Sequence, residues 1–353
     1  MKFTPLAALC CSLALSAAAF GQLRIACVGD SITAGVGATA GNSYPSQLGR
    51  LLGSGYTVGN FGHSGATLLS TGGTPYPTTQ EYTNSGAFNP NIVVIMLGTN
   101  DSGDSNWAHH GTFTSDYAAL ISHYRSLSSH PQVYVTTPPF MYGTGFGGNS
   151  VNVLNNVIAP LEVQIAADNN ALLIDVHAAT SGHPEWFPGV HPNDAGAGGI
   201  AAAVEAGILA PEMFEVETLT VAGFTGPGYH VGSDSGMSDG EGVFLDATAV
   251  ANSITFLAPN ILARPYNVKV GVKKLSSRGI YQAAIGQAGN SSPTPLGSPQ
   301  DFYSATVAYA EVNLGAWTPG TSGDKWFRFT VTGKNAGSSG FGGGFDYIVL
   351  TPQ

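Results

Sequence analysis

Cysteine is nearly absent: the 353-residue chain has three, and two of them, Cys10 and Cys11, fall in an apolar N-terminal stretch. Only Cys27 remains beyond that stretch, which excludes an internal disulfide framework. Within Leu23-Arg24-Ile25-Ala26-Cys27-Val28 it reads as a packed residue rather than a nucleophile. Charge is sparse, 10% of residues, and one-sided, with 12 Lys and Arg against 22 Asp and Glu for a net −10. Without a basic stripe, neither nucleic acid nor an anionic membrane is an expected partner. Long apolar runs are missing too: residues 6–19 fall short of the ~20 that a bilayer crossing needs. With Lys2 before that run and Ala19-Phe20-Gly21 as a small-x-small site ahead of Gln22, residues 1–21 read as a signal peptide. A secreted or periplasmic protein with no membrane span in its mature chain is expected. No spacing among His63, His109, His110, His123, His130, His177 and His183 resembles a zinc site.

Glycine, by contrast, is abundant at 48 residues, and it punctuates two different textures. Residues 23–207 alternate short apolar strands (23–28, 56–60, 92–97, 133–137, 171–175) with stretches of helical spacing (44–52, 113–127, 151–169, 194–207), the last capped by Asp194. That alternation predicts a parallel sheet covered by helices on both faces, a three-layer α/β/α domain over 22–211. After Ala210-Pro211 the runs become short and β-rich (214–221, 266–274, 326–332), separated by Gly, Ser, Asn and Pro. An all-β sandwich is predicted over 212–353.

Three polar, Gly-rich segments follow predicted strands and so converge on one sheet edge, where ligands of such folds bind. The first is Gly29-Asp30-Ser31-Ile32-Thr33-Ala34-Gly35, whose glycines allow a tight turn that exposes the Ser31 hydroxyl and aims its N–H at a developing oxyanion. The second, Gly62-His63-Ser64-Gly65-Ala66-Thr67, offers an unobstructed N–H at Gly65. The third, Gly98-Thr99-Asn100-Asp101, offers the Asn100 amide. A fourth segment, Val190-His191-Pro192-Asn193-Asp194, places a histidine before the last helix, where it can face the serine as general base.

These four blocks, in this order, resemble the SGNH hydrolases, the superfamily of the GDSL lipases and esterases, over roughly residues 23–207. The resemblance implies a flavodoxin-like fold, Ser31 as nucleophile and His191 as base, an oxyanion hole made by Ser31, Gly65 and Asn100, and no catalytic cofactor. Asn106-Trp107 and Tyr44-Pro45 are similar to segments of the bacterial subgroup that deacetylates carbohydrates. One position departs from the family: the aspartate usual three residues before the histidine is Pro188 here. Its absence should weaken catalysis by leaving the imidazole without a carboxylate to orient it. Glu185, six residues upstream, is a candidate substitute, as is a backbone carbonyl.

The second half is similar to galactose-binding-like jelly rolls and carbohydrate-binding modules. Such modules often hold a structural calcium, for which Glu215, Glu217 and Asp346 are the candidate oxygen ligands. Tyr281, Tyr303, Tyr309, Trp317 and Trp326 are the aromatics available to stack on a sugar, most of them expected in the core. The expected function is hydrolysis of an ester, O-acetyl first, on an acylated carbohydrate or small ester. Rivals are a lipase, lysophospholipase or thioesterase on longer chains, and a catalytically impaired glycan-binding protein. Oligomeric state is not legible.

Overall fold

The computed structural model describes residues 22–144, 148–289 and 292–353; the signal peptide expected at 1–21 lies outside them. The first five strands, β1 (Leu23–Gly29), β2 (Tyr56–Gly62), β3 (Ile92–Met96), β4 (Gln132–Thr136) and β5 (Leu172–Ile174), pair in parallel in the order β2-β1-β3-β4-β5. A parallel sheet is covered on both faces, which is why β3 (Ile-Val-Val-Ile-Met) is buried throughout. Side chains alternate accordingly. Cys27 and Val94 pack with Tyr44 and Leu48 of the helix Tyr44–Leu52 and Ile200, Val204 and Ile208 of the helix Asp194–Ile208. Ala26, Val93 and Ile95 pack on the other side with Phe113, Tyr117 and Ile121 of the helix Phe113–Arg125. Cys27 is fully buried, and burial pushes its thiol up to about 12, so it is inert.

The helix expected over 151–169 is three pieces: Val151–Val153, a π-helical turn Leu154–Ile158, and Ala159–Asp168. Pro160 has no N–H to donate, so the hydrogen-bond register changes just ahead of it. The last helix is capped by Asn193, whose Oδ1 accepts from Gly196 N–H at 3.0 Å, rather than by Asp194.

From Glu212 onward the strands pair antiparallel, with isolated parallel bridges between Leu275 and Tyr303 and between Arg278 and Gly342. One sheet runs β13 (Thr294–Asp301), β12 (Gly279–Gln287), β15 (Gly323–Lys334), β10 (Ser253–Ile261), β7 (Thr220–Thr225). The other runs β14 (Ala308–Trp317), β11 (Tyr266–Lys274), β16 (Gly343–Pro352), β9 (Glu241–Leu245), β8 (Tyr229–Ser233), with β6 (Glu212–Glu215) also on β16. Phe256, Tyr281 and Phe329 from the first sheet meet Val268, Val270, Phe345 and Ile348 from the second in one core. The single strand expected over 214–221 is two: β6 belongs to one sheet and β7 to the other. The crossing between them is a 3₁₀ turn at Val216–Thr218 that buries Val216 completely.

The two halves interlock. Leu262 of the β domain is part of the α/β core that contains Ile174 and Ile208. Arg264, 3% exposed, donates from Nη1 to the carbonyl of Ile208 at 2.8 Å and from Nη2 to Glu212 Oε1 at 2.9 Å. Its cation thus serves a helix C-terminus and a carboxylate together.

Candidate active site

β1 delivers Ser31 to the carboxyl edge of the sheet, beside the point where strand order reverses between β1 and β3. Asp30 caps the one-turn helix Ser31–Ala34 by accepting from Ile32 N–H at 2.9 Å, and Gly35 closes it at φ +102°. The Ser31 hydroxyl therefore stands at a helix N-terminus. Across from it, His191 Nε2 lies 2.9 Å from Ser31 Oγ. The two residues, 160 positions apart, sit within proton-transfer reach.

Gly65 follows β2 in the left-handed region, φ +85°, with open space where a side chain would be. Asn100 Nδ2 donates one hydrogen to Ala66 O at 2.9 Å, which ties it to the Gly65 loop and leaves its second hydrogen unassigned. Asn106 Nδ2 in turn holds Asn100 O at 2.7 Å. Among the described residues, the backbone N–H groups of Ser31 and Gly65 donate to nothing. Ser31, Ser64, Gly65, Thr99, Asn100, Asn149 and His191 all line one pocket of about 300 Å³.

Glu185 is not beside His191: its Oε1 is 3.0 Å from His183 Nδ1, and His183 stacks on Trp186 at 3.7 Å. Six residues of turn carry it away from the imidazole. Among the described residues no carboxylate reaches His191 Nδ1. What holds the histidine is the chain on either side of it. Gly37, at φ +92°, packs so tightly that a Cβ there would come within 2.6 Å of Pro192 O and 2.8 Å of His191 Cβ. Asp194 accepts from Thr39 N–H at 2.6 Å, from Thr39 Oγ1 at 2.7 Å and from Asn42 Nδ2 at 2.9 Å, joining the histidine segment to the serine segment. Sequence reasoning gave Asp194 only a capping role; the signal, a carboxylate three residues after the histidine, is too common to rank.

Burial depresses the His191 pKa below its usual 6.5, so the ring is neutral at pH 7 and able to take a proton. Beneath the pocket lie three buried acids. Asp101 accepts from Leu68 N–H at 3.0 Å and Leu69 N–H at 2.8 Å, bracing the loop after Gly65. Burial raises Asp101 to about 6 and Asp30 to about 7. Glu162, fully buried with neither oxygen hydrogen-bonded among the described residues, is pushed well above the carboxylate range. It fills the space over Gly98, where a Cβ would meet Glu162 Oε1 at 2.8 Å.

In the β domain, the acidic group differs from the expected one. Carboxylate oxygens of Glu215, Glu217 and Asp239 lie within 4.8 Å of one another. Asp346 stands next to them, its Oδ1 accepting from Ser238 N–H at 2.9 Å. Asp239 enters because the turn Ser238–Gly240 folds over β16, a long-range contact that strand alternation does not reveal. Glu215 Oε2 and Glu217 Oε2 are buried without hydrogen-bond partners among the described residues. Burial and then the neighbouring carboxylates raise Glu217, and Asp346 reaches about 6 for the same reasons, offset in part by a hydrogen bond from Ser238. Of the aromatics, Tyr281 and Trp317 pack with the core, whereas Tyr309 is exposed and Tyr303 and Trp326 are half-buried.

Residues 27–198 match the GDSL-like lipase/acylhydrolase family. This part of the chain is a GDSL-like lipase/acylhydrolase domain. An acetylxylan esterase from Xylanibacter ruminicola is 33% identical over 207 residues, 53% of this chain and 43% of that protein. A multidomain esterase from Ruminococcus flavefaciens is 28% identical over 112 residues, 31% of this chain and 14% of that protein. The chain thus spans less than half the length of either curated relative. Among solved structures, a two-domain esterase active on acetylated mannans is 15% identical, covering 94% of this chain and 92% of its own at a TM-score of 0.40.

Proposed function

We propose that this protein is a carboxylic ester hydrolase that removes acyl groups, O-acetyl first, from carbohydrates through a Ser31 acyl-enzyme. The carrying observation is the 2.9 Å contact between His191 Nε2 and Ser31 Oγ, beside N–H donors that no described residue engages. In this reading His191 Nε2 takes the hydroxyl proton as Oγ attacks the ester carbonyl. The oxyanion is met by the N–H groups of Ser31 and Gly65 and by Asn100 Nδ2. Collapse expels the sugar alkoxide, which takes the proton from His191, and water repeats the cycle to free the acid. The acetylxylan esterase relative supports the carbohydrate ester as substrate.

Among the described residues nothing partners Nδ1 of His191, which favours one second reading, a glycan-binding protein with lapsed catalysis. Two experiments decide. A fluorophosphonate that labels wild type and not Ser31→Ala supports the hydrolase, and no label on wild type defeats it. In a 4-nitrophenyl ester series, fastest turnover of acetate is expected; preference for long chains would replace the acetylesterase with a lipase or thioesterase.

Three further features go with this reading. The leader at 1–21 directs export, the domain boundary lies at 211–212, and Glu215, Glu217 and Asp239, with Asp346 beside them, hold a structural calcium. Hard carboxylate oxygens, two of them buried without partners, suit that ion.

A further inference from the structure

A second pocket, of about 330 Å³, adjoins the one that holds Ser31: Val190, the residue before His191, lines both. Its other walls come from Met141, Tyr142 and Thr144 of the β4 loop and from Phe187 and Pro188 of the histidine loop. The loop is fixed by Asn155, which donates to Met141 O at 2.9 Å and accepts from Met141 N–H at 3.0 Å. That Asn155 lies in the π-helical turn, so the register change ahead of Pro160 aims an amide at this wall.

Tyr142 shows how the pocket is built. Its hydroxyl donates to Thr180 O at 2.7 Å and accepts from His183 N–H at 2.8 Å, so the polar end is anchored in the protein. Its ring packs with Phe140 at 4.7 Å and Phe187 at 6.0 Å between centroids. The pocket therefore meets ring surface flanked by proline and valine. Around it, among the described residues, the backbone N–H groups of Thr144, Gly189 and Val190 donate to nothing. An acyl chain placed there would cover those amides without satisfying them. A pyranose ring presents C–H groups to an aromatic face and hydroxyls at its rim, which matches both features.

We propose that this pocket is a subsite for a sugar ring of the glycan that carries the ester, with Tyr142 as its stacking platform. The proposal rests on the carbohydrate-ester reading above. The probes are an acetylated xylo-oligosaccharide, 4-nitrophenyl acetate and 4-nitrophenyl octanoate. Tyr142→Leu is expected to raise KM for the oligosaccharide about tenfold with kcat kept, and to leave 4-nitrophenyl acetate unchanged. Tyr142→Phe, which keeps the ring, should stay within about twofold of wild type. Equal losses on oligosaccharide and 4-nitrophenyl acetate would mean a structural residue, and a loss confined to the octanoate an acyl-chain site; either overturns the proposal. Should wild type free no acetate from any glycan, the carbohydrate reading fails on its own terms. Calorimetry of unacetylated xylo-oligosaccharide on Ser31→Ala, with and without Tyr142→Leu, then still reads the subsite: unchanged binding, or none in either, refutes it.

Discussion

The α/β and β domains use carboxylates in opposite ways. Under the sheet edge, Asp30, Asp101 and Glu162 are buried and raised toward the neutral form, and two of them accept backbone N–H groups of the loops around the Ser31 pocket. In the β domain, Glu215, Glu217 and Asp239 crowd one another near the surface, an arrangement that a cation relieves. The first group braces the loops around the Ser31 pocket; the second, under the proposal above, is the one that a cation would hold together. Burial without a cation favours the protonated acid, whereas clustering at an accessible edge favours metal binding.

The widest separation between the domains should come from Ser31→Ala. Acetate release is expected to fall by about 10³-fold or more, while the thermal unfolding midpoint stays at the wild-type value; a comparable loss of stability would place Ser31 in the scaffold. Arg264→Ala should do the reverse, keeping kcat in the folded enzyme but lowering stability in urea by about 3–5 kcal/mol, because Glu212 and the Ile208 carbonyl lose a buried cation. Next comes the ion. Calcium at a hundredfold excess over its Kd should add about 2.7 kcal/mol and EDTA should remove it, with no such response in Glu217→Gln.

Smaller effects follow from pH. Glu162 is raised above its unfolded value of 4.5, so the native state holds the proton longer and stability declines as pH rises above that value. Asp101 adds to the decline between 3.8 and about 6, and Asp30 between 3.8 and about 7. Glu162→Gln should flatten the fall in Tm between pH 5 and 8; an unaltered slope would show that Glu162 ionises freely. The smallest shift concerns His191. With burial as the cause and no carboxylate of the described residues acting on it, the acid limb of kcat/KM should lie below 6.5, and a limb above that value would reveal an anionic partner beyond them.

Legibility follows the distance over which each feature is encoded. Ser31, Gly65, Asn100 and His191 stand in short segments just after strands or before a helix, so order along the chain is enough to bring them to one edge. The parallel sheet is legible because its central strand β3 is a continuous apolar run and the strands beside it are short and alternate with helical stretches. Glu185 misleads because six residues of loop include a 3₁₀ turn that faces it toward His183. Glu162 escapes notice, and Asp194 reads only as a helix cap, because carboxylates on helices ordinarily face water, and nothing local says that one is fully buried or that the other binds Thr39. Asp239 requires knowing that its turn crosses β16. The strand expected at 214–221 breaks because alternation cannot show the chain changing sheets.

Leu262 and Arg264 give the protein a property that its tandem layout conceals. Separated at residue 211, the N-terminal portion would present an empty greasy socket and an uncapped helix end to water, and so would clump. Recombination that exchanged the rear module for an unrelated one would meet the same defect, so inheritance of the pair as a unit is expected.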